Sequence, residues 1–384
     1  MTEQVTAYIG LGSNLGDRAG SIRKALARLG DSGRVEVTRV SDLKETSPLG
    51  EMAQPKYLNG VAEVRTALTP DELLQALKAT EAALGRGPHG KWEPRPIDLD
   101  LLLFGGQVID TNELVVPHPQ MHLRTFVLHG LSRIDPQIVH PLLGETVGEL
   151  ARRLGGGDFV IRPEAPQLVS VAGIIGAGKT TLARKLADML AGELLQEPYD
   201  TNPFLPEVYA GKRELALDSQ LYFLVNRARQ IGRDLLRPGQ VFVTDYVFEK
   251  EPIYARLLLD VEQLGLYESI YQPFAQRVTT PALVVYLEDS PRSCLERIHQ
   301  RNRPYEQRIT LEFLEELDGQ YRRLFAGWKA CPVIRIPVST LSGYDEAVLE
   351  HVVRQVKAYV AWNDRSGGGT REVCSTDVRS DNDR

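Results

Sequence analysis

Between an unbroken apolar run, Leu168 to Ala172, and a helix-patterned stretch, Lys179 to Leu190, the chain reads Gly173-Ile174-Ile175-Gly176-Ala177-Gly178-Lys179-Thr180. These residues fit G-x-x-x-x-G-K-[ST] at every fixed position. Gly173, Gly176 and Gly178 let the loop fold tightly enough for its backbone N–H groups to point inward at phosphates, and the following helix adds its positive end. Lys179 is placed to reach the β and γ phosphates and Thr180 to hold Mg²⁺, with Thr181 beside them. A chance glycine turn is the plain alternative; the strand before it and the amphipathic helix after it argue against that. The loop thus points to a strand–loop–helix unit that binds a nucleoside triphosphate, and it is silent about the phosphoryl acceptor. Val241 to Thr244 and Ala282 to Leu287 are continuous valine-rich runs of the kind buried on both faces, and long helical stretches, Arg213 to Leu236 and Pro252 to Gln276, lie among them. This predicts an α/β domain with a parallel sheet and helices on both faces.

The chain has 384 residues, too many for that domain alone. Gly155-Gly156-Gly157-Asp158 breaks any helix, and Pro163 and Pro166 follow. The spacing predicts a first domain over 1–157, a linker over 158–167, the α/β domain over 168–365 and a disordered tail over 366–384. In the first domain Val5 to Leu11, Arg34 to Lys44, Leu58 to Thr66 and Ile97 to Phe104 read as strands. Residues 17–29 read as a helix stopped by Gly30, and a second helix opens at Thr69-Pro70 with Glu72 completing a capping box. The order β-α-β-β-α-β is that of a ferredoxin-like α+β domain. Apolar residues make up 42% and the formal net charge is −6, which excludes wholesale disorder and disfavours nonspecific binding to nucleic acid or an anionic membrane. No window reaches 18 consecutive apolar residues, the first residues lack a secretory pattern, and Cys294, Cys331 and Cys374 are widely spaced, as reduced thiols of a cytoplasmic protein would be.

Several residues of the second domain bear on the acceptor. Glu197 follows the expected second strand, and Asp245 ends the run Val241 to Thr244, at a strand's carboxyl end where doubly wound sheets place ligands. Arg297, Arg301, Arg303 and Arg308 punctuate a helical segment running into Pro304-Tyr305-Glu306. Singly, a solvated glutamate or a charged helix face explains each. Together they resemble the deoxynucleoside kinase family, over about residues 168–335 and in the family's order. The resemblance implies that Glu197 is the general base for the 5′-hydroxyl and that Tyr209 and Glu306 hold the sugar 3′-hydroxyl. It likewise implies that Gln220 pairs with the base edge, that Asp245 belongs to the substrate site and that Arg301 and Arg303 form a lid over the transferring phosphoryl group. Many members have Asp-Arg-Ser where this chain has Asp245-Tyr246-Val247, so the arginine that helps place the 5′-oxygen is missing; some bacterial purine-type members look similar here, and Lys250 is the candidate substitute.

In the first domain the most informative stretch is Pro94-Arg95-Pro96-Ile97-Asp98-Leu99-Asp100. On a strand, residues two apart share a face, so Asp98 and Asp100 project together. Paired carboxylates repel unless a cation sits between them, and hard oxygen ligands suit Mg²⁺; the plain alternative is the solvated face of an ordinary strand. Gly12-Ser13-Asn14, Glu45-Thr46-Ser47-Pro48-Leu49-Gly50, Gln54-Pro55-Lys56-Tyr57-Leu58-Asn59 and Val116-Pro117-His118-Pro119, with Arg124 and Phe126 beyond, complete the pattern. Over about residues 5–150 it looks like the 6-hydroxymethyl-7,8-dihydropterin pyrophosphokinase family of folate biosynthesis. The resemblance implies transfer of the β,γ-pyrophosphoryl group of ATP to a pterin hydroxymethyl, with release of AMP. It assigns Asp98 and Asp100 to two Mg²⁺ ions, and Arg95, His118 and Arg124 to the ATP phosphates, Arg95 in a catalytic role. Thr46, Leu49, Tyr57 and Asn59 would line the pterin slot, with Trp92 and Phe126 stacking on the ring. Pro88 replaces a frequent arginine, Lys91 stands where arginine is common, and Pro119 replaces a frequent tyrosine.

These resemblances imply a bifunctional, ATP- and Mg²⁺-using cytoplasmic enzyme whose partners are a pterin, a deoxynucleoside and ATP, without nucleic acid or membrane, and leave room for a homodimer through the kinase domain. The alternatives make the second domain a nucleotide-sensing ATP-binding module, or a kinase for another small acceptor.

Overall fold

The computed structural model describes residues 4–48, 54–87, 94–341 and 343–362. Leu49, Trp92 and the expected tail over 366–384 lie outside the described residues. The chain divides into two compact units between Val160 and Ile161.

The first unit runs β1 (Val5–Ser13), α1 (Arg18–Asp31), β2 (Val35–Val40), β3 (Lys44–Thr46), β4 (Tyr57–Thr66), α2 (Pro70–Ala83) and β5 (Asp98–Phe104). The strands form an antiparallel sheet in the order β2-β4-β1-β5, with β3 also paired to β4. Strand alternation gathers Ala7, Ile9 and Leu11 of β1 with Ala62 and Val64 of β4, and α1 and α2 cover them with Ile22, Ala25, Leu29, Leu73 and Leu77. A short ribbon of β6 (Ile109–Asp110) and β7 (Val115–Val116) leads to α3 (Thr125–Ile134) and α4 (Val147–Arg153). At Gly130 helix α3 meets β4 so closely that a Cβ would stand 2.6 Å from Val61 Cγ2. Glycine is what permits that approach.

Local chemistry sets the ends of these elements. The Thr69 side chain accepts from the Glu72 N–H, the Glu72 carboxylate accepts from the Thr69 N–H, and Pro70 takes the first helical position, as expected. Gly30 does not stop α1: the helix continues to Asp31, and the chain turns at Gly33 with φ +67°. The single strand expected over Arg34 to Lys44 is two strands, because the ladder on β4 is interrupted after Val40 and resumes at Lys44.

The second unit is built on β8 (Gln167–Ala172), β9 (Glu193–Leu195), β10 (Val241–Thr244), β11 (Leu283–Glu288) and β12 (Val333–Pro337). They form a wholly parallel sheet in the order β12-β11-β8-β10-β9. All of β8 and β10 is buried, as the continuous apolar runs require. Around the sheet lie α5 (Lys179–Met189), α6 (Leu205–Tyr209), α7 (Ala216–Gln230), α8 (Glu251–Leu258), α9 (Val261–Ala275), α10 (Pro291–Arg301), α11 (Leu311–Ala326) and α12 (Glu346–Lys357).

Three expected helical stretches are shorter than their patterning suggested. Arg213 to Leu236 resolves into a 3₁₀ turn and α7, which ends at Gln230. Pro252 to Gln276 is divided at Leu259-Asp260, where Asp260 and Gln263 form a capping box that starts α9. The arginine-bearing segment leaves helix at Asn302, φ +52°, and continues as a 3₁₀ turn over Pro304–Arg308. No helix among the described residues is long and apolar enough to cross a membrane.

Candidate active sites

In the first unit, Asp98 and Asp100 stand at the start of β5 and open into one cleft with Thr46, Tyr57, Asn59, Arg95, His118, Arg124 and Phe126. The Gly12-Ser13-Asn14 stretch, in which β1 ends, holds the chain leading to this pair. Ser13 Oγ donates to Pro96 O at 2.6 Å, the Asn14 N–H donates to Arg95 O, and the Arg95 N–H donates to Asn14 Oδ1 at 2.7 Å. Asn59 Nδ2 donates to Thr46 Oγ1 at 2.8 Å across the β3–β4 pair, which orients its amide. A side chain at Gly12 would crowd that amide, its Cβ lying 2.9 Å from Asn59 Oδ1.

The cleft's electrostatics follow from one crowded carboxylate pair. Asp98 Oδ1 accepts from Arg95 Nη1 at 3.0 Å and from Arg86 Nη1 at 2.7 Å. Asp100 opens onto the cleft, yet desolvation and then the Asp98 charge push its carboxyl up to about 7, against the pull of Arg86, Arg95 and Arg124. A cation between the two carboxylates would relieve that repulsion. Among the described residues no group of three or more His, Cys, Asp or Glu side chains gathers as a metal cage. Two carboxylates beside the Arg95 and Arg124 cations are a donor set that suits Mg²⁺ shared with phosphates. Burial and the Arg124 charge lower the His118 imidazole to about 4, so it is neutral at pH 7. Its Nδ1 accepts from the Gln120 N–H at 3.2 Å, which leaves the proton on Nε2 as a donor.

In the second unit the carboxyl ends of β8, β9 and β10 converge. The loop after β8 requires its glycines. Gly176 and Gly178 have φ of +85° and +87°, and a Cβ at Gly176 would lie 2.5 Å from Cys294 O. Lys179 Nζ donates to Ile174 O at 2.9 Å, folding over the loop. Asp245 joins two neighbouring segments: Oδ2 accepts from Thr180 Oγ1 at 2.5 Å and Oδ1 from the Glu197 N–H at 2.7 Å. Thr181 lies exposed on the first turn of α5.

Glu197 is the electrostatic centre of this site. Its Oε1 accepts from Arg227 Nε at 2.7 Å, from Arg227 Nη2 and from Lys250 Nζ at 2.5 Å. Burial alone would raise the carboxyl, but Arg227 and Lys250 hold it down to about 2. Gln220 lies buried two turns before Arg227 on α7. Arg301 donates to Glu306 Oε2, and Arg303 reaches both Glu306 Oε1, at 3.4 Å, and Tyr199 Oη, at 2.5 Å. Tyr209 stands beside Tyr305, with ring centroids 6.2 Å apart.

Sequence reasoning did not single out Arg86, Arg227, Glu251 or Tyr199. Arg86 is 12 residues from Asp98, and Arg227 is 30 from Glu197, so no local spacing links them. Arg227 did carry one signal, its i+7 relation to Gln220 on a single helix face.

Residues 8–136 match the family model described as 7,8-dihydro-6-hydroxymethylpterin-pyrophosphokinase, and residues 169–361 match the deoxynucleoside kinase model. The first unit is similar to a 2-amino-4-hydroxy-6-hydroxymethyldihydropteridine pyrophosphokinase of Bacillus subtilis, 46% identical over 132 residues, which are 34% of this chain and 79% of the relative. An Aquifex aeolicus protein of the same description is 40% identical over 144 residues, 38% of this chain and 89% of that protein. Among solved structures, a deoxyadenosine kinase from M. mycoides with products dcmp and a flexible dcdp bound is similar at 21% identity and a TM-score of 0.44, covering 50% of this chain and 99% of that one.

Proposed function

From the premise that the chain belongs to the hydroxymethyldihydropterin pyrophosphokinase family in its first unit and to the deoxynucleoside kinase family in its second, we propose two separate ATP-dependent transfers on one polypeptide. The first is pyrophosphoryl transfer to 6-hydroxymethyl-7,8-dihydropterin with release of AMP. The second is 5′-phosphorylation of a deoxynucleoside with release of ADP. The strand order β2-β4-β1-β5 supports reading the first unit as the ferredoxin-like split motif. Buried free Cys294 and Cys331 fit a reducing, cytoplasmic setting, and we place any homodimer contact on the second unit.

One observation carries the first reading: a single cleft is lined by the paired carboxylates Asp98 and Asp100, the cations Arg95 and Arg124, and Asn59 and Phe126. Asn59, fixed by Thr46, reads the edge of a flat ring while Phe126 offers a face for stacking. Neutral His118 donates through Nε2 to a phosphate oxygen, and Arg95 and Arg124 neutralise developing charge. Asp98 and Asp100 would hold Mg²⁺, as would Thr180 in the second unit. The ion would supply Lewis-acid polarisation of the phosphates.

For the second reading the carrying observation is Glu197, an ionised carboxylate beside the phosphate loop. In this reading it takes the acceptor hydroxyl proton, and Arg301 and Arg303, paired with Glu306 and Tyr199 in this structure, supply cations for the transferring group. A passive nucleotide sensor has no use for such a base. The test incubates the full chain with ATP and Mg²⁺, adding either the pterin or each of the four deoxynucleosides, and resolves AMP from ADP. AMP with the pterin and ADP with at least one deoxynucleoside support the readings; no ADP with any deoxynucleoside refutes the second.

A further inference from the structure

We propose that Lys250 is a positioning residue of the second unit: with Arg227 it locks one carboxylate oxygen of Glu197 and thereby presents the other to the acceptor hydroxyl. This rests on reading Glu197 as the proton acceptor. All three donors that reach the carboxylate, two from Arg227 and one from Lys250, converge on Oε1. Oε2 accepts no hydrogen bond from any described residue, and the Glu197 side chain remains 14% exposed. An oxygen with three donors cannot turn away from them, so the direction of Oε2 is set as well.

The charges explain why a lysine is buried here. Arg227 also pairs with Glu251 Oε1, whose Oε2 takes the Tyr267 hydroxyl, and its guanidinium lies 4.4 Å from the Phe223 ring centroid. Two carboxylates, Glu197 and Glu251, thus share one arginine. Lys250, only 3% exposed, supplies the second cation and makes the group neutral. It arrives from the 3₁₀ turn Phe248–Lys250, on a different element from Arg227.

In the transfer, the acceptor O–H proton passes to Glu197 Oε2 as the hydroxyl oxygen bonds to the γ-phosphorus. The bond from that phosphorus to the bridging oxygen breaks, and its electron pair leaves with ADP. A weakly basic carboxylate accepts the proton late, when the new bond is largely made, which suits a loose phosphoryl transition state. The charged groups facing Glu197 are Lys179 from α5, Arg227 from α7 with Glu251 behind it, Lys250, and Asp245 at its backbone N–H. The neighbouring phenols of Tyr209, Tyr246, Tyr254 and Tyr321 are raised by burial and stay neutral.

The test compares the full chain with Lys250→Met and Lys250→Arg, measuring kcat and acceptor KM against pH with ATP and the deoxynucleoside that the wild type turns over. Lys250→Met lowers kcat by about tenfold or more with acceptor KM changed little, and moves the acidic limb of kcat to higher pH because the carboxyl has lost a cation. Lys250→Arg returns the limb towards its wild-type position. A Lys250→Met enzyme with wild-type kcat and an unmoved limb overturns the proposal. Should Lys250→Met not fold, Lys250→Gln keeps a donor without the charge and carries the same comparison. Should the wild type turn over no deoxynucleoside, the kinase reading fails, and the positioning is read by carboxyl ¹³C NMR with Glu197→Gln assigning the resonance. Glu197 then titrates at higher pH in Lys250→Met than in the wild type; identical titrations overturn the proposal.

Discussion

The Thr180 hydroxyl donates to Asp245 Oδ2 at 2.5 Å, tying the phosphate loop to the end of β10. The other oxygen of Asp245 takes the Glu197 N–H, so one buried carboxylate sets the spacing between the nucleotide loop and the proposed base. Asp245→Asn removes the charge and leaves one of these donors facing an amide N–H₂. A lost charged hydrogen bond of about 1.5–3 kcal/mol corresponds to about 10–100-fold in ADP formation. AMP formation from the pterin stays unchanged. Parallel ADP and AMP assays on the full chain check both halves of this expectation.

Gly176→Ala blocks the second site by geometry. The residue holds φ +85°, and a Cβ would lie 2.5 Å from Cys294 O, a backbone atom that cannot swing aside. The loop must open, at a cost on the order of 1–3 kcal/mol, and its N–H groups lose their aim. Calorimetry is expected to show nucleotide binding at the second site lost and a lower unfolding temperature for that unit.

Asn59→Ala tests the heterocycle slot. Thr46 Oγ1 fixes the amide that would read the pterin edge, so the alanine variant leaves substrate groups unpaired. The expected loss is about tenfold or more in kcat/KM for the pterin, with deoxynucleoside phosphorylation unaffected. Steady-state AMP formation against pterin concentration measures it.

Acid stability of the first unit depends on a buried imidazole. His140 is 3% exposed, its Nε2 has no hydrogen-bond partner, and burial followed by the His122 charge lowers it to about 3. Its folded pKa lies below the unfolded value, so the unfolded chain binds the proton first. Stability is therefore full above about pH 6.5 and is lost as pH falls towards 3, by about 2 kcal/mol at pH 5. Urea unfolding at pH 7 and pH 5 is expected to show this loss in the wild type and a smaller one in His140→Gln.

What the sequence made legible was local. Thr69 and Glu72 lie three residues apart, the glycine loop is contiguous, and Asp98 and Asp100 share a strand face by simple alternation. Val241 to Thr244 matched the observed strand because a run buried on both faces leaves a plain apolar signature. The break at Asp260 was hidden because the apolar pattern continues across it, and the two-residue cap that divides the helices is weaker than that periodicity. Gly30 misled because a glycine is tolerated in a last helical turn. Tertiary pairs were not legible at all: Lys250 meets Glu197 across 53 residues only because β9 and β10 are parallel neighbours.

The central claim, two independent transfer sites on one chain, is tested most directly by product-resolved assays of Asp98→Ala and Lys179→Ala in the full-length protein with ATP, the pterin and a deoxynucleoside. Asp98→Ala is expected to lose AMP formation and keep ADP formation, and Lys179→Ala to show the reverse. Loss of both products in either variant would contradict it.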